Sequence, residues 1–442
     1  MWRGTGVFGA GNPRRFVWFR VLYAARAYYP VLAVFFTDLG LTLGQFVALN
    51  VVWAVSIVLF EVPSGALADT IGRKRLLVAS ATLMVLEMGL LLVAPKDAGW
   101  WLFALCAVNR VLSGASEAAA SGADEAIAYE ALPEDGRREA WDVVLATAMR
   151  WRAAGFLIAM SAGGLLYDPS WLNRWLPEAM EVPADLARRL PMAVVFVQSL
   201  ACLAICLGFQ ETRPPAPTRG QPAFSGRCQA ALRVTLRTAS MAARSRAVAV
   251  VLLGGLLVDC VARNFATINS EYYRLMGVPD WSFGFLGSLV ALGNWFVPGI
   301  AMRVNRRMSP AAALAAGAGL TAVVLFLLPP AWPWAGLVPA FFLMMMLGYV
   351  GFTVSRHLHQ VAESSQRATL LSVKGLVFNL GYSVWSILFT WLLAFGGEEH
   401  ADTPLQHTLR WQAWIFLTLL AVFLAAGHDF KKHGRTVTSP RS

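Results

Sequence analysis

The sequence predicts an all-α polytopic membrane protein with twelve transmembrane helices in two pseudo-symmetric six-helix bundles. Of its 442 residues, 57% are hydrophobic and only 14% are charged, whereas soluble domains carry about 25% charged residues. The apolar residues lie in long blocks, and about 20 consecutive apolar residues cross a bilayer as a helix. This composition argues against a soluble enzyme, a disordered regulator and a nucleic-acid-binding module.

Twelve apolar blocks, separated by polar or Pro- and Gly-containing loops, predict the spans. We expect them at residues 15–38, 43–68, 76–95, 100–131, 140–167, 191–210, 247–274, 281–303, 309–329, 334–360, 368–396 and 409–427. The blocks show no strand-like alternation. Helices are therefore expected to satisfy the backbone hydrogen bonds within lipid.

The Lys and Arg residues of the loops predict the orientation. They are concentrated on one side of the predicted topology, in the N-terminal tail and in loops 73–75, 213–246 and 303–307. Positive loops stay in the cytoplasm, so both termini are expected there. This topology accounts for the net charge of +11, and we expect membrane lipids rather than nucleic acid as the partner of these basic loops.

Segment 211–246 divides the chain into two halves. It begins with Arg213-Pro-Pro-Ala-Pro217, which is too rich in proline to continue a helix. An Arg-rich amphipathic stretch follows and is expected to lie on the inner leaflet. The predicted domains are an N-terminal bundle over 1–210, this cytoplasmic linker, a C-terminal bundle over 247–427 and a cytoplasmic tail over 428–442.

A weak internal repeat relates the two halves. The register that aligns Arg26 with Arg263 also aligns Gly40 with Gly277. Secondary transporters are commonly built from such repeats, with the substrate site between them. The repeat agrees with the count of six spans on each side of the linker.

The most specific motif lies between the second and third predicted spans, in the stretch Gly65-Ala-Leu-Ala-Asp69-Thr-Ile-Gly72-Arg73-Lys74-Arg75. It resembles the hallmark G-x-L-a-D-r-x-G-r-k of the major facilitator superfamily. Arg110-Val-Leu-Ser-Gly114 is similar to the arginine motif in the fourth helix of that family. The resemblance implies a secondary transporter of bacterial type in the inner membrane, not an enzyme, without a cofactor and monomeric.

The resemblance also implies a gating role for this loop. Gly65 and Gly72 are expected to let helices approach closely and turn sharply. Asp69 is expected to face the positive N-terminus of helix eleven. Arg73 is expected to pair with an acid of helix four, either Asp124 or Glu130, and so to hold the inner side closed.

Two arginines near the middle of their spans are candidates for substrate binding. The repeat places Arg26 and Arg263 on equivalent helices, one and seven, where two guanidiniums would form a bidentate anion clamp. The alternative is internal neutralisation, since Asp259 lies four residues before Arg263 and favours an intrahelical pair. Tyr23 and Tyr29 lie three residues on either side of Arg26 and are expected to flank the substrate.

Helix five contributes a further candidate. Arg150 and Arg152 point to different sides of a helix, so at most one faces the cavity. Arg150 is the expected one, because the repeat aligns it with the polar residue Asn379. We therefore expect both Arg150 and Asn379 in the substrate site.

The polar face of the fourth span is a candidate for proton coupling. Arg110, Glu117 and Asp124 recur at helical spacing, and a carboxylate beside Arg110 is expected to change protonation during transport. Glu117 is the first coupling candidate and Asp259 the second. A purely structural network between helices remains the alternative. No metal site is expected, because His357 and His359 point in different directions and no third ligand is evident.

These observations predict a transporter that moves a small anionic or anion-bearing solute by alternating access, coupled to protons or to a counter-anion. A proton-driven exporter of amphiphilic compounds with the same fold is the main alternative. A non-transporting membrane enzyme or receptor is the remote one, because the sequence contains no nucleophile–base pair, phosphate loop or metal motif.

Overall fold

The computed structural model describes residues 11–211, 245–361, 367–395 and 403–436, with isolated residues between 226 and 240. Across these ranges the chain forms α-helices and short 3-10 helices without a β-strand. Ten described helices are long and apolar enough to cross a membrane. Large apolar side chains such as Ile158 and Trp295 are exposed on their surfaces, as expected for residues that face hydrocarbon. The all-α membrane fold is therefore confirmed.

The contacts divide the chain into two compact units, one of residues 1–233 with 278–291, the other of residues 234–277 with 292–442. The helices of the first are α1 Gly11–Ala24, α2 Leu32–Asp38, α3 Leu43–Ile71, α4 Arg73–Val93, α5 Gly99–Ala120, α6 Ala123–Glu130, α7 Arg137–Tyr167, α8 Pro169–Asn173, α9 Ala184–Ala187 and α10 Leu190–Gly208. The second contains α11 Arg246–Leu275, the greater part of α12 Phe283–Arg307, α13 Pro310–Leu327, α14 Leu337–Val361, α15 Arg367–Phe395 and α16 Pro404–Thr436. Most of the predicted linker 211–246 lies outside the described residues.

Local sequence signals explain where several helices begin. Thr42 and Gln45 form a reciprocal capping box at the start of α3. Ser309 caps α13, and Pro310 occupies its first turn, where a missing N–H costs nothing. In the first unit, α5 packs against α3 and α4, and α1 packs against α7 and α10. In the second, α11 contacts α13, α14 and α15.

The first predicted span, 15–38, is wrong as a continuous helix. Helix α1 ends at Ala24, a short 3-10 helix covers Tyr29–Val31, and α2 begins at Leu32. Pro30 is one cause, because it restricts the residue before it and lacks an N–H donor. A second cause is the burial of Arg26 within the interruption, described below.

The fourth predicted span, 100–131, is also interrupted. Helix α5 ends at Ala120, and α6 begins at Ala123 after Gly122, whose φ of +75° stops the helix. Although α5 has 22 residues, Asn109 and Arg110 near its middle lower its hydropathy. The first and fourth predicted spans are therefore absent from the ten described helices that meet the criteria for a span.

Candidate functional site

The interruption of the first predicted span is built around the Arg26 side chain. The Arg26 guanidinium is 3% exposed, and its Nη1 atom lies 2.8 Å from Oε1 of Glu87 in α4, which is fully buried. The same nitrogen donates to the Tyr28 hydroxyl at 2.7 Å, and Nε donates to the Tyr23 carbonyl oxygen at 3.3 Å. Arg26 is thus neutralised by a carboxylate from another helix, which the sequence did not predict.

A cavity of about 330 Å³ lies beside this pair in the first unit. Its lining comes from α1, the interruption, α5, α6 and α7. The residues are Phe19, Arg20, Tyr23, Ala24, Arg26, Tyr29, Glu117, Ala120, Ser121, Asp124, Arg152 and Phe156. The predicted site residues Arg26, Tyr23, Tyr29, Glu117 and Asp124 are therefore brought together in one cavity.

Most charges of this cavity are paired. Nη1 of Arg20 lies 3.0 Å from Oδ2 of Asp124, and Nη2 lies 3.3 Å from Oε1 of Glu125. Arg152 has no carboxylate or hydrogen-bond partner among the described residues, and its side chain is exposed in the cavity. Glu117 also lines the cavity and has no cation within ion-pair distance in the described part of the chain. Arg152 and Glu117 are thus the two charged groups of the cavity that are available to bind a solute or a proton.

The orientation of the fifth predicted span, which is α7 in the structure, differs from the prediction. Arg152, and not Arg150, lines the cavity, together with Phe156 one turn further along α7. The prediction of Arg150 depended on the repeat alignment, which does not determine the rotation of a helix. Residues two apart lie about 200° apart on a helix, so the face that carries Arg152 and Phe156 turns Arg150 away.

The two predicted tyrosines have different environments. The Tyr23 hydroxyl lies 2.9 Å from Oγ of Ser116 and is held against α5. Tyr29 is 38% exposed and makes an edge-on contact with Tyr28, with ring centroids 5.1 Å apart. Tyr29 is therefore the tyrosine that a bound solute can reach.

Arg110 lies behind the cavity rather than in it. It is 4% exposed, and its Nε donates to Oδ1 of Asn109 at 3.0 Å. Its guanidinium carbon lies 5.1 Å from the centroid of the Phe36 ring. Arg110 and Glu117 form no ion pair, and the coupling role expected of Arg110 stays a prediction.

A second cavity, of about 560 Å³, lies within the second unit. Its lining is Asp259, Arg263, Leu347, Gly351, Lys374, Gly375, Phe378 and Asn379. Nη2 of Arg263 lies 2.8 Å from Oδ2 of Asp259, and Nη1 donates to Oδ1 of Asn379 at 2.9 Å. The predicted residues Arg263, Asp259 and Asn379 therefore form one cluster, with Arg263 neutralised inside its own helix.

Lys374 is the cation of the second cavity that lacks a carboxylate partner in the described residues. Its Nζ donates to Oγ of Ser355 at 2.8 Å and lies 3.5 Å from the Gly351 carbonyl oxygen. Nζ also lies 5.5 Å from the centroid of the Phe378 ring. Sequence reasoning did not select Lys374, because a lysine near a helix end is expected to reach the membrane surface.

The predicted gating loop joins α3 to α4 by a sharp turn at Gly72. Gly72 has a φ of +91°, and the Glu211 carboxylate lies against it, with Oε2 accepting a bond from the Lys74 N–H at 2.9 Å. Arg73 pairs with Glu130, one of the two expected acids. The other, Asp124, pairs with Arg20 instead.

Two further expectations for this loop have different outcomes. A Cβ placed on Gly65 meets no described atom within 4 Å, so the described residues show no close approach there and the expected role of Gly65 stays a prediction. The Asp69 side chain lies outside the described residues. Glu211 was missed because it follows α10, far from the loop in sequence.

Comparisons with known proteins agree with this fold. The sequence model of the Major Facilitator Superfamily matches residues 19–358. The structure is similar to the nucleoside transporter NupG, with a TM-score of 0.69, 11% identity and coverage of 94% of this chain and 98% of that one. It is also similar to a bacterial homologue of the human lysosomal transporter Spinster, captured inward-facing and unoccupied, with a TM-score of 0.64, 14% identity and coverage of 95% of each chain.

A D-xylose–proton symporter is another structural neighbour, with a TM-score of 0.60, 14% identity and coverage of 95% of each chain. A comparison with curated protein sequences gave no match. At such low identities the structural neighbours establish the fold alone, whereas the family match covers more than half of the chain. The chain therefore belongs to the Major Facilitator Superfamily and is a multi-pass membrane protein with a secondary-transporter fold, not an enzyme.

Proposed function

We propose that this protein moves a small anion-bearing solute across the membrane by alternating access. The observation that carries the proposal is that each unit contains a cavity with one cation that has no carboxylate within ion-pair distance among the described residues. These cations are Arg152 in the first cavity and Lys374 in the second. A cation that lines a cavity between membrane-spanning helices favours an anionic partner, and a bound anion supplies it.

This assignment replaces the two arginines selected from the repeat. Arg26 is ion-paired with Glu87, and Arg263 is ion-paired with Asp259. An anion would therefore have to displace a carboxylate to bind either arginine. Arg152 requires no such exchange. The guanidinium also presents several donors in a plane, which suits a carboxylate or phosphate group.

Glu117 is the proposed proton carrier. It lines the same cavity as Arg152 and has no described cation within ion-pair distance. A protonated Glu117 leaves the positive charge of Arg152 uncompensated in the cavity, which favours entry of an anion together with a proton. Coupling to a counter-anion is the alternative, and it predicts transport that does not depend on Glu117.

A proton-driven exporter of amphiphilic cations is the second candidate. Four aromatic rings, of Phe19, Tyr23, Tyr29 and Phe156, line the first cavity beside Glu117. Aromatic faces and a carboxylate together also suit a lipophilic cation. The sign of the transported charge therefore distinguishes the two candidates.

Uptake into proteoliposomes tests the proposal. The probes are labelled inorganic phosphate, succinate, benzoate and tetraphenylphosphonium, each with and without an inward proton gradient. For the transported anion we expect Arg152→Gln and Lys374→Gln each to raise KM at least tenfold, with Arg150→Gln close to wild type. Transport of tetraphenylphosphonium alone, or anion uptake that survives both substitutions, would overturn the anion assignment.

We propose that the protein works as a monomer in the bacterial inner membrane, with both termini in the cytoplasm. The support is the position of the basic loops in the sequence. A C-terminal fusion to green fluorescent protein is expected to fluoresce, whereas a C-terminal alkaline phosphatase fusion is expected to be inactive. The reverse pattern would contradict this orientation.

We also propose that the loop between α3 and α4 acts as a gate on the cytoplasmic side. The Arg73–Glu130 pair and the contact of Glu211 with the turn at Gly72 support this role, because they tie the loop to α6 and to the segment that follows α10. Gate opening would have to break these contacts. Glu130→Gln is therefore expected to shift the protein toward the inward-open state, measured by labelling of a cavity cysteine from the inner side.

A further inference from the structure

The interruption at residues 25–28 is held from two sides within the first unit. On one side, Glu87 of α4 binds the Arg26 guanidinium at 2.8 Å. The Glu87 carbonyl oxygen also accepts a bond from Asn109 at 2.7 Å, which fixes α4 to α5 at this level. The Glu87 carboxylate that binds Arg26 therefore lies on a part of α4 that is hydrogen-bonded to α5.

On the other side, α7 contacts the interruption with a glycine. A Cβ built on Gly163 would collide with the carbonyl group of Ala27. The backbone of the interruption thus lies directly on the backbone of α7. Any other residue at position 163 would have to displace it.

The interruption determines which side chains line the cavity. In a continuous helix, residues six apart point about 120° away from each other, so Tyr23 and Tyr29 would not line one wall. In the structure both line the first cavity. The guanidinium carbon of Arg26 lies 5.1 Å from the Tyr23 ring centroid and 6.0 Å from that of Tyr28, so the arginine occupies the space between the two helical segments.

The pair itself is incompletely satisfied. Nη2 of Arg26 and Oε2 of Glu87 are both buried without a hydrogen-bond partner among the described residues. Two carboxylates line the cavity with Arg26, namely Asp124, which is paired with Arg20, and Glu117, which has no ion-pair partner among the described residues. If Glu87 loses its charge, the Arg26 guanidinium therefore has an alternative acid, Glu117, toward which it can turn across the cavity.

We propose that Glu87 is a positioning residue of the substrate cavity. By holding Arg26 inside the interruption it keeps Tyr29 on the cavity wall and keeps the guanidinium away from Glu117. The proposal rests on the proposed function only in calling this cavity the substrate site. The positional claim stands on the contacts of Glu87, Arg26 and Ala27.

Cysteine accessibility tests the positional claim without a transported substrate. The purified full-length protein would carry Cys228→Ser, which removes the half-buried thiol and leaves four buried ones. Tyr29→Cys reports on the interruption, and Ser121→Cys reports on the same cavity from the turn between α5 and α6. The rate of labelling by a charged methanethiosulfonate reagent is measured with Glu87, Glu87→Gln or Glu87→Asp in each background.

We expect Glu87→Gln to change the labelling rate of Tyr29→Cys at least fivefold and that of Ser121→Cys less than twofold. Glu87→Asp retains the charge and should restore most of the wild-type rate. Asp185→Asn, which removes an exposed partner of Lys96, is the control and should change neither rate. If Glu87→Gln does not yield a folded protein, Arg26→Gln, which removes the other partner, provides the same comparison.

An unchanged Tyr29→Cys rate, or equal changes at both reporters, would overturn the positioning role. The outcome is independent of the transport assay. If uptake is absent for every anion probe but the Tyr29→Cys rate responds as expected, the proposed function fails and the role of Glu87 stands. If an anion is transported, Glu87→Gln should raise its KM more than it lowers the maximal rate.

Discussion

Nη2 of Arg263 lies 2.8 Å from Oδ2 of Asp259, one turn earlier in the same helix. Arg26, its counterpart in the sequence repeat, binds instead a carboxylate from a different helix, Glu87. The first pair is formed within one helix, whereas the second joins the interruption after α1 to α4. The same residue type at equivalent positions therefore has two structural roles.

The Asp259–Arg263 pair gives a prediction for anion binding. Asp259→Asn keeps a polar side chain beside Arg263 but removes its countercharge, so the second cavity becomes more positive. Near a protein surface one unit charge at about 4 Å contributes about 1–4 kcal/mol. We expect the KM for the transported anion to fall at least threefold in proteoliposome uptake, whereas Asp259→Glu should leave it near wild type. A higher KM in Asp259→Asn would show that the aspartate itself contributes to binding.

The Asp259–Arg263 pair could be predicted from the sequence, whereas the Arg26–Glu87 pair could not. Residues four apart on a helix meet by geometry alone, so Asp259 and Arg263 were paired as one alternative. Glu87 lies 61 positions from Arg26 and on another helix. Only the packing of α4 against the interruption brings them together.

The buried pair gives a second prediction, for stability. Removing one partner of a buried ion pair costs about 3–5 kcal/mol, because the other charge is left uncompensated, whereas removing both costs less. We expect Arg26→Met and Glu87→Leu each to lower the apparent melting temperature in detergent more than the double variant does. Additive effects in this double-mutant cycle would contradict direct coupling. Asp185→Asn, at an exposed pair, should have little effect.

The glycines of the two family motifs give a third prediction. A Cβ on Gly114 would lie 2.6 Å from Cβ of Ser56 and 2.9 Å from the Trp53 carbonyl oxygen, where α5 packs against α3. A Cβ on Gly65 meets no described atom within 4 Å. We expect Gly114→Ala to reduce the yield of monodisperse protein and its melting temperature, and Gly65→Ala to match wild type in both. Equal tolerance at the two positions would contradict the packing.

Motif recognition thus identified the family but not the mechanical role of each residue. Gly65 and Gly114 both belong to stretches that resemble family motifs, yet only Gly114 is tightly packed in the described residues. Hydropathy located the spans other than the first and the fourth, because it depends on local composition. It could not locate Arg152 in the cavity, since the rotation of α7 depends on its contacts with α1.

Arg189 gives a fourth prediction, for the end of α4. Its Nη1 donates to the carbonyl oxygens of Leu91 and Leu92 at 3.3 and 2.7 Å, and Nη2 donates to that of Ala94 at 2.7 Å. These carbonyls have no partner within the helix, and a cation at a helix C-terminus also favours the helix dipole. Arg189→Ala should therefore destabilise the end of α4, by about 1.5–3 kcal/mol for the hydrogen bonds of a charged group.

Hydrogen exchange measured by mass spectrometry can locate this effect. We expect faster exchange in peptides that cover residues 88–97 of Arg189→Ala, with partial recovery in Arg189→Lys, because an ammonium cannot reach three carbonyls in the fixed geometry of a guanidinium. Arg188→Ala is the matched control, since Arg188 binds Oδ2 of Asp38 at 3.2 Å and not α4. Its effect should appear near Asp38. Equal exchange changes at the end of α4 in both variants would show that Arg189 does not cap this helix specifically.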